Sequence, residues 1–287
     1  MERKERCVLL PDGVLVPAIG QGTWYLGEQQ RKRKEEFESL QAGISAGLTL
    51  LDTAEMYGDG KAEELLGEAI KGYDRSGLFL VSKVYPHNAG RSQIFKSCQN
   101  TLNRLKTDYL DLYLLHWRGS VPLKETVACM EELKKQGKIR RWGVSNFDTS
   151  DMEELWRVPG GTNCQMNQVL YHVASRGIEY DLLPWMKEHK VPVMAYSPLA
   201  QAGTLRRGLY ENPVLLDLAN AHQCSVSNIL LSFAIRDGHV IAIPRSGKKE
   251  HAMDNARALK ISLTEDEITA INQFFLPPSK KVYLDMI

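Results

Sequence analysis

The chain has 287 residues, 43% hydrophobic and 25% charged, with 36 Lys and Arg against 35 Asp and Glu for a formal net charge of +1. The apolar share suffices for a sizeable buried core, and the even charge balance excludes a global field favouring nucleic acid, an anionic membrane or an acidic partner. No apolar run approaches the roughly 18 residues of a membrane-spanning helix, and the first residues, "MERKERCVLLPDG", lack the apolar segment and cleavage site of a secretory signal, so a cytoplasmic protein is expected. Cys7, Cys98, Cys129, Cys164 and Cys224 are odd in number and never spaced CxxC. That pattern disfavours a disulfide framework or a zinc site and favours small buried hydrophobes. Basic clusters at Arg31 to Lys34 and Lys134 to Arg141 fall on predicted helix ends, where solvated surface is the expected state.

In chain order, "CVLL", a "PDG" turn and "VLVP" predict an amino-terminal hairpin. Apolar runs then predict strands at 19–23, 49–52, 78–83, 109–116, 139–145, 164–170, 191–197 and 240–244. Amphipathic stretches alternate with them, among them "EEFESLQAGISAG", "AEELLGEAIKG", "FKSCQNTLNRLK" and "VACMEELKKQG"; several end in glycine, which accepts the left-handed helix cap. Alternating strands and helices indicate parallel βαβ units, and eight of them suit an α/β (β/α)8 TIM barrel. A doubly wound sheet is the rival, weakened because "GQGTWYLG" has Gly20 and Gly22 but not the full GxGxxG. The stretch "NPVLLDLANAHQCSVSNILLSFAIRDG" exceeds one helix and predicts an extra one near the carboxyl terminus. No linker or repeat divides the chain, so a single barrel domain over 1–287 is expected.

Three consecutive predicted strands finish on polar residues: "LTLLD" on Asp52, "LFLVSK" on Lys83 and "LDLYLLH" on His116. In a parallel barrel the carboxyl ends open on one face, and neighbouring strands lie about 4.8 Å apart, so these side chains converge. Tyr57, in the loop after Asp52, bends back over them. A buried Asp52 and Lys83 offset each other's charge. A lysine ammonium about 4 Å from a phenol, at an effective dielectric near 20, favours the phenolate by roughly 4 kcal/mol, or about three pKa units. The four residues therefore suggest Tyr57 as a general acid/base tuned by Lys83, with His116 orienting a carbonyl oxygen. A proton donor aimed at a carbonyl needs a hydride, which implies a nicotinamide cofactor. The residues for a metal site or a nucleophile–base pair are absent.

The blocks "PAIGQGTW", "LDTAEMYGDGKAEELLGEAI", "FLVSK", "DYLDLYLLHW", "GKIRRWGVSNF", "NQVLYH", "MAYSPLA" and "IPRSGKKEHAMDNA" together resemble an aldo-keto reductase, nearly end to end. In length and in "SPLAQAG" the chain is similar to bacterial members thought to reduce methylglyoxal and other small aldehydes. The resemblance implies a catalytic tetrad of Asp52, Tyr57, Lys83 and His116. It implies that Tyr196 stacks on the nicotinamide, that Ser145, Asn146 and Gln168 bond its carboxamide, and that Gly22, Thr23 and Trp24 border its ribose. The loop from Ser197 through Leu199 to Gly203 would follow the pyrophosphate. Arg245, Ser246 and Lys248 would hold a 2′-phosphate, with Asp254 and Asn255 at the adenine. His251 stands where many members carry arginine and Gly247 where an aromatic or Asn is frequent, so NADPH is expected with NADH as the alternative. Trp24, Tyr25, Tyr57, Tyr85 and Trp117 are candidates for the substrate pocket. The short "WRGSVP" loop and the dozen residues after Phe275 are expected to leave it open to small carbonyl substrates. A monomer is expected. The alternatives are a nicotinamide-binding regulatory subunit with little turnover and a barrel lyase using Lys83 as a Schiff base.

Overall fold

A computed structural model describes residues 6–201 and 203–287. Residues 1–5, inspected above for a leader, and Ala202, inside the loop assigned to a pyrophosphate, lie outside the described residues. The hairpin forms as expected from β1 (Cys7–Leu9) and β2 (Leu15–Pro17), antiparallel, with Val8 opposite Val16. Its turn closes through Gly13 N–H to Leu10 O and Leu10 N–H to Val14 O, both 2.9 Å. Strand alternation buries Val8 and Val16 and exposes Leu9 and Leu15. Val16 and Pro17 wall a cavity with Thr49, Leu78 and Phe79, which precede or begin barrel strands, so the hairpin covers the amino-terminal end of the barrel.

Eight parallel strands follow: β3 (Gln21–Gly22), β4 (Leu50–Asp52), β5 (Phe79–Val84), β6 (Leu112–Leu115), β7 (Trp142–Ser145), β8 (Asn167–Leu170), β9 (Val193–Tyr196) and β10 (Val240–Ala242). They pair in chain order from β3 to β10, and almost every residue in them is buried. That is why they read as apolar runs rather than as alternation. The two edges meet: Gly20 N–H donates to Ala242 O at 2.8 Å, Ala242 N–H to Ala18 O at 2.8 Å, and Gly22 N–H to Pro244 O at 3.1 Å. These bonds close the sheet into a barrel and exclude the doubly wound rival. Gly22 permits the closure, because a Cβ there would stand 2.9 Å from Ile243 O. Each observed strand falls within a predicted one, except that β5 runs one residue past Lys83. Lys83 is therefore a side chain inside the strand rather than its last residue.

The four amphipathic stretches form α1 (Arg33–Ser45), α2 (Lys61–Ala69), α3 (Ile94–Leu105) and α4 (Leu123–Lys135). Next come α5 (Thr149–Arg157), started by a capping box of Asp148 and Asp151, and α6 (Leu182–Glu188). The long stretch before β10 splits into α8 (Pro213–Ala221), capped by Asn212, and α9 (Val226–Ala234), capped by Ser225. The short α7 (Thr204–Tyr210) precedes them and was not anticipated. α10 (Lys249–Arg257) and α11 (Glu265–Phe274) complete the set. Among the described residues no helix is long and apolar enough to cross a membrane. Cys98, Cys129 and Cys164 are buried as expected, whereas Cys224 is half-buried and Cys7 lies exposed on the hairpin.

The tail after α11 corrects an expectation. Lys281 Nζ donates to Asp148 Oδ1 at 2.5 Å and Asp181 Oδ1 at 2.8 Å, and Ser175 Oγ donates to Asp285. Anchored in this way the tail turns back over the barrel, and Ile287 lines the cavity at the carboxyl mouth. Few residues do not mean a clear entrance when a cation ties them across two helix starts.

Candidate active site

Asp52, Tyr57 and His116 line a cavity of about 460 Å³ at the carboxyl ends of the strands. Lys83 lies beneath it, 0% exposed, and Asp52 is 2% exposed. The register explains their meeting. Asp52 pairs with Val81, and Lys83, two residues on, points to the same side of β5. The Lys83 ammonium has three N–H donors, and each is used: to Asp52 Oδ2 at 2.8 Å, Thr53 O at 2.8 Å and Tyr57 OH at 3.1 Å. Tyr57 also meets His116 edge-on, ring centroids 5.8 Å apart. The four residues read from the sequence thus form one contact cluster.

The electrostatics correct one expectation. Burial, and the Asp52 carboxylate beyond it, hold the Tyr57 phenol well above its ordinary pKa of 10 rather than below. Lys83 lies closer to Asp52 Oδ2 than to Tyr57 OH, so most of its charge is already answered by the carboxylate. Burial likewise pushes the Asp52 carboxyl up and the Lys83 ammonium down, and each partner offsets the other's shift. His116 is pushed down to about 2, first by burial and then by Lys83. Its ring is neutral at any physiological pH. The buried Nδ1 has no partner among the described residues, so the Nε2–H tautomer leaves only a lone pair unanswered in the interior and frees an N–H donor.

Around these four, Ser145, Asn146 and Gln168 form a second set bonded to the first. Ser145 Oγ donates to Gln168 O at 2.9 Å. Asn146, in the left-handed region at φ 58°, donates from Nδ2 to His116 O at 3.2 Å and accepts from Tyr196 OH at 2.9 Å. Gln168 Nε2 donates to Asp52 Oδ1 at 2.8 Å. Gly22, Trp24, Ser197, Leu199 and Arg245 also line the cavity, with Ser197 and Ala200 at positive φ in the loop after β9. Thr23 is fully buried instead; its N–H donates to Asp52 O at 3.0 Å.

The remaining expectations divide. Arg245, Lys248 and His251 are exposed and enter no ion pair among the described residues. Ser246 Oγ accepts from Lys248 N–H at 3.2 Å and donates to Lys248 O at 2.8 Å, shaping the entry to α10. Asp254 accepts from Ser225 Oγ at 2.5 Å and Asn255 is buried, and neither borders the cavity. Of the aromatic candidates, Trp24, Tyr25, Tyr57 and Trp117 line the cavity. Tyr85 does not; it stacks on His87 and meets Trp117 edge-on at 5.8 Å, supporting that wall from behind. Sequence reasoning missed Met56, Arg206, Ile243, Pro244 and Ile287 in the lining, whereas Gln201 belongs to the loop it had assigned to the pyrophosphate. For Arg206 a signal existed, a basic pair beside a small-residue loop. For Ile287 there was none.

Three comparisons bear on this geometry. The Aldo/keto reductase family matches residues 18–275. Methylglyoxal reductase YeaE of Escherichia coli (strain K12) is 53% identical over 284 residues, covering 99% of this chain and 100% of that protein. Glyoxal reductase of Bacillus subtilis (strain 168) is 35% identical over 271 residues, covering 93% and 92%. Among solved structures, an aldo/keto reductase from Klebsiella pneumoniae in complex with NADP and acetate superposes with a TM-score of 0.96 at 53% identity, over 99% of this chain and 100% of the other. A family match running from just before β3 to just past α11, around a closed barrel whose mouth gathers four polar side chains, leaves no other assignment: the chain belongs to the aldo/keto reductase family.

Proposed function

We propose that the protein reduces small aldehydes and ketones of the methylglyoxal type to alcohols, using NADPH, as a monomeric single-domain enzyme with Tyr57 as proton donor. The observation that carries this reading is the direction of one hydrogen bond. Lys83 donates into the Tyr57 oxygen, so the phenol keeps its own hydrogen for an acceptor in the cavity. The raised Tyr57 pKa supports the same role, since a donor must hold its proton until the acceptor becomes basic. Neutral His116 then orients the carbonyl oxygen as a hydrogen-bond donor without competing to protonate it. When Tyr57 releases its proton, Lys83 is already in place to stabilise the phenolate, and Asp52 keeps Lys83 charged and fixed.

The donor set fits a nicotinamide dinucleotide phosphate. Tyr196 lines the cavity beside Ser145, Asn146 and Gln168, the loop from Ser197 to Gln201 borders it, and Arg245, with exposed Lys248 and His251 near it in sequence, offers positive charge for a phosphate. Such a cofactor supplies the hydride. Completeness of the site within one chain supports the monomer, and buried thiols at Cys98 and Cys164 support a reducing, cytoplasmic setting. A Schiff-base role for Lys83 is disfavoured because all three of its N–H groups are engaged and it is fully buried.

Loss of reduced-nicotinamide absorbance with methylglyoxal tests the reading; absence of turnover across a panel of small aldehydes, with NADPH still bound, would leave the regulatory-subunit alternative. In the same assay Arg245→Ala should raise the KM for NADPH by about tenfold or more while leaving that for NADH nearly unchanged, since one charge-assisted phosphate contact is worth about 1.5–3 kcal/mol. Parallel weakening of both would remove Arg245 from the phosphate site. The pH dependence has a definite sign. Tyr57 stays protonated and His116 neutral between about pH 5 and pH 9, given the raised phenol and an imidazole pushed down to about 2. Reduction rates at saturation should therefore stay level through that window, with no step near 6.5. Alcohol oxidation, which needs the phenolate, should rise with pH. A histidine-like step in the reduction profile would contradict the assignment.

A further inference from the structure

Gln168 was singled out above for the carboxamide of a nicotinamide, yet its amide is already committed on one side. Nε2 lies 2.8 Å from Asp52 Oδ1 and 2.9 Å from Met194 Sδ, so both amide hydrogens have acceptors. The orientation is not arbitrary. A carboxylate only accepts, which forces the nitrogen of the amide toward Asp52 and turns Oε1 the other way. Oε1 accepts no hydrogen bond from a described residue, and Gln168 lines the cavity. The backbone beneath is held as well: Gln168 O accepts from Ser145 Oγ at 2.9 Å and from Asn146 N–H at 2.8 Å.

Asn146 does not share this arrangement. Its Nδ2 is taken by His116 O and Ser145 Oγ, and its Oδ1 by Tyr196 OH. Gln168 alone of the three pairs a carboxylate of the tetrad with an unanswered acceptor at the cavity. We propose that Gln168 is a positioning residue that couples seating of the nicotinamide carboxamide to the placement of Asp52, and through Asp52 to Lys83 and Tyr57. A carboxamide N–H donated to Oε1 polarises the amide and strengthens the N–H bond to Asp52. The chain then runs from Oε1 to Nε2, Asp52, Lys83 Nζ and the Tyr57 oxygen, every link at 3.1 Å or less. A cofactor held with its carboxamide out of place leaves Asp52 less firmly bonded, and the proton donor less well set.

The inference rests on the proposed use of NADPH, and reciprocity gives it a test that needs no turnover. If Gln168 transmits between cofactor and Asp52, removing the Asp52 carboxylate must weaken NADPH binding more when Gln168 is present than when it is absent. The experiment is a double-mutant cycle on the NADPH dissociation constant, read by quenching of protein fluorescence, with Asp52→Ala and Gln168→Leu singly and together. Effects of the stranded Lys83 charge occur in both backgrounds and cancel in the cycle. Asp52→Ala should weaken NADPH by about fivefold or more beyond whatever it does in the Gln168→Leu background. Effects within about twofold of additive would overturn the coupling. Asp52→Asn, which keeps volume and an acceptor oxygen, carries the same cycle if the alanine variant does not fold, with a smaller coupling of the same sign; additivity there overturns the proposal equally. Failure of the unaltered protein to bind NADPH would be a different outcome, sinking the proposed cofactor and the coupling with it.

Discussion

Tyr57→Phe should lower kcat for aldehyde reduction by about a thousandfold, within the range that a positioned general acid contributes, while the NADPH dissociation constant changes by less than about twofold. The ring stays, so its edge contact with His116 and its packing against Trp24 survive. What goes is the hydroxyl, the acceptor for one Lys83 N–H and the donor to substrate. Stopped-flow single turnovers at saturating NADPH separate this loss from slow release of product. Equal losses in kcat and in cofactor affinity would count against the proton-donor role.

The second large effect is on stability. Lys83→Met leaves the Asp52 carboxylate buried with no cation and should cost about 3–5 kcal/mol in a denaturant titration, as breaking a buried pair from one side does. It should also abolish reduction, since the phenolate loses its stabilising ammonium. Adding Asp52→Asn to Lys83→Met should recover most of the stability and none of the activity, because an amide needs no counter-charge and still accepts from Gln168. The two readouts therefore part company in the double variant. A Lys83→Met protein as stable as the parent would mean that Asp52 is not held as a buried anion, and the account of how Lys83 is kept charged would fail.

Much of this molecule is legible in its sequence. Barrel strands bury both faces, so they appear as apolar runs that hide their exact starts: the predicted 109–116 shrinks to Leu112–Leu115, while buried Leu110 makes only an isolated parallel bridge to Ile139. Residues that interrupt such a run near its carboxyl end stand out, and Asp52, Lys83 and His116 were visible for that reason. Helix caps were less visible. Asp148 with Asp151 starts α5, and Thr264 with Glu267 starts α11, yet neither pair was singled out. The motifs of the cofactor half were legible only by resemblance, since Tyr196 or Asn146 alone reads as packing or a cap.

The sequence by itself determined that Asp52, Lys83 and His116 gather at the mouth with Tyr57 in the loop above them, because strand order and the period of two are local properties that a parallel barrel converts into position. The tertiary structure alone decided how they act on one another. Gln168 and Asp52 are 116 positions apart in sequence, the tail that brings Ile287 to the cavity is held by Asp148 and Asp181, and the upward shift of Tyr57 depends on how much water the folded chain removes from it. Dielectric surroundings and long-range contacts are made by all the elements at once, so no local stretch of residues carries them.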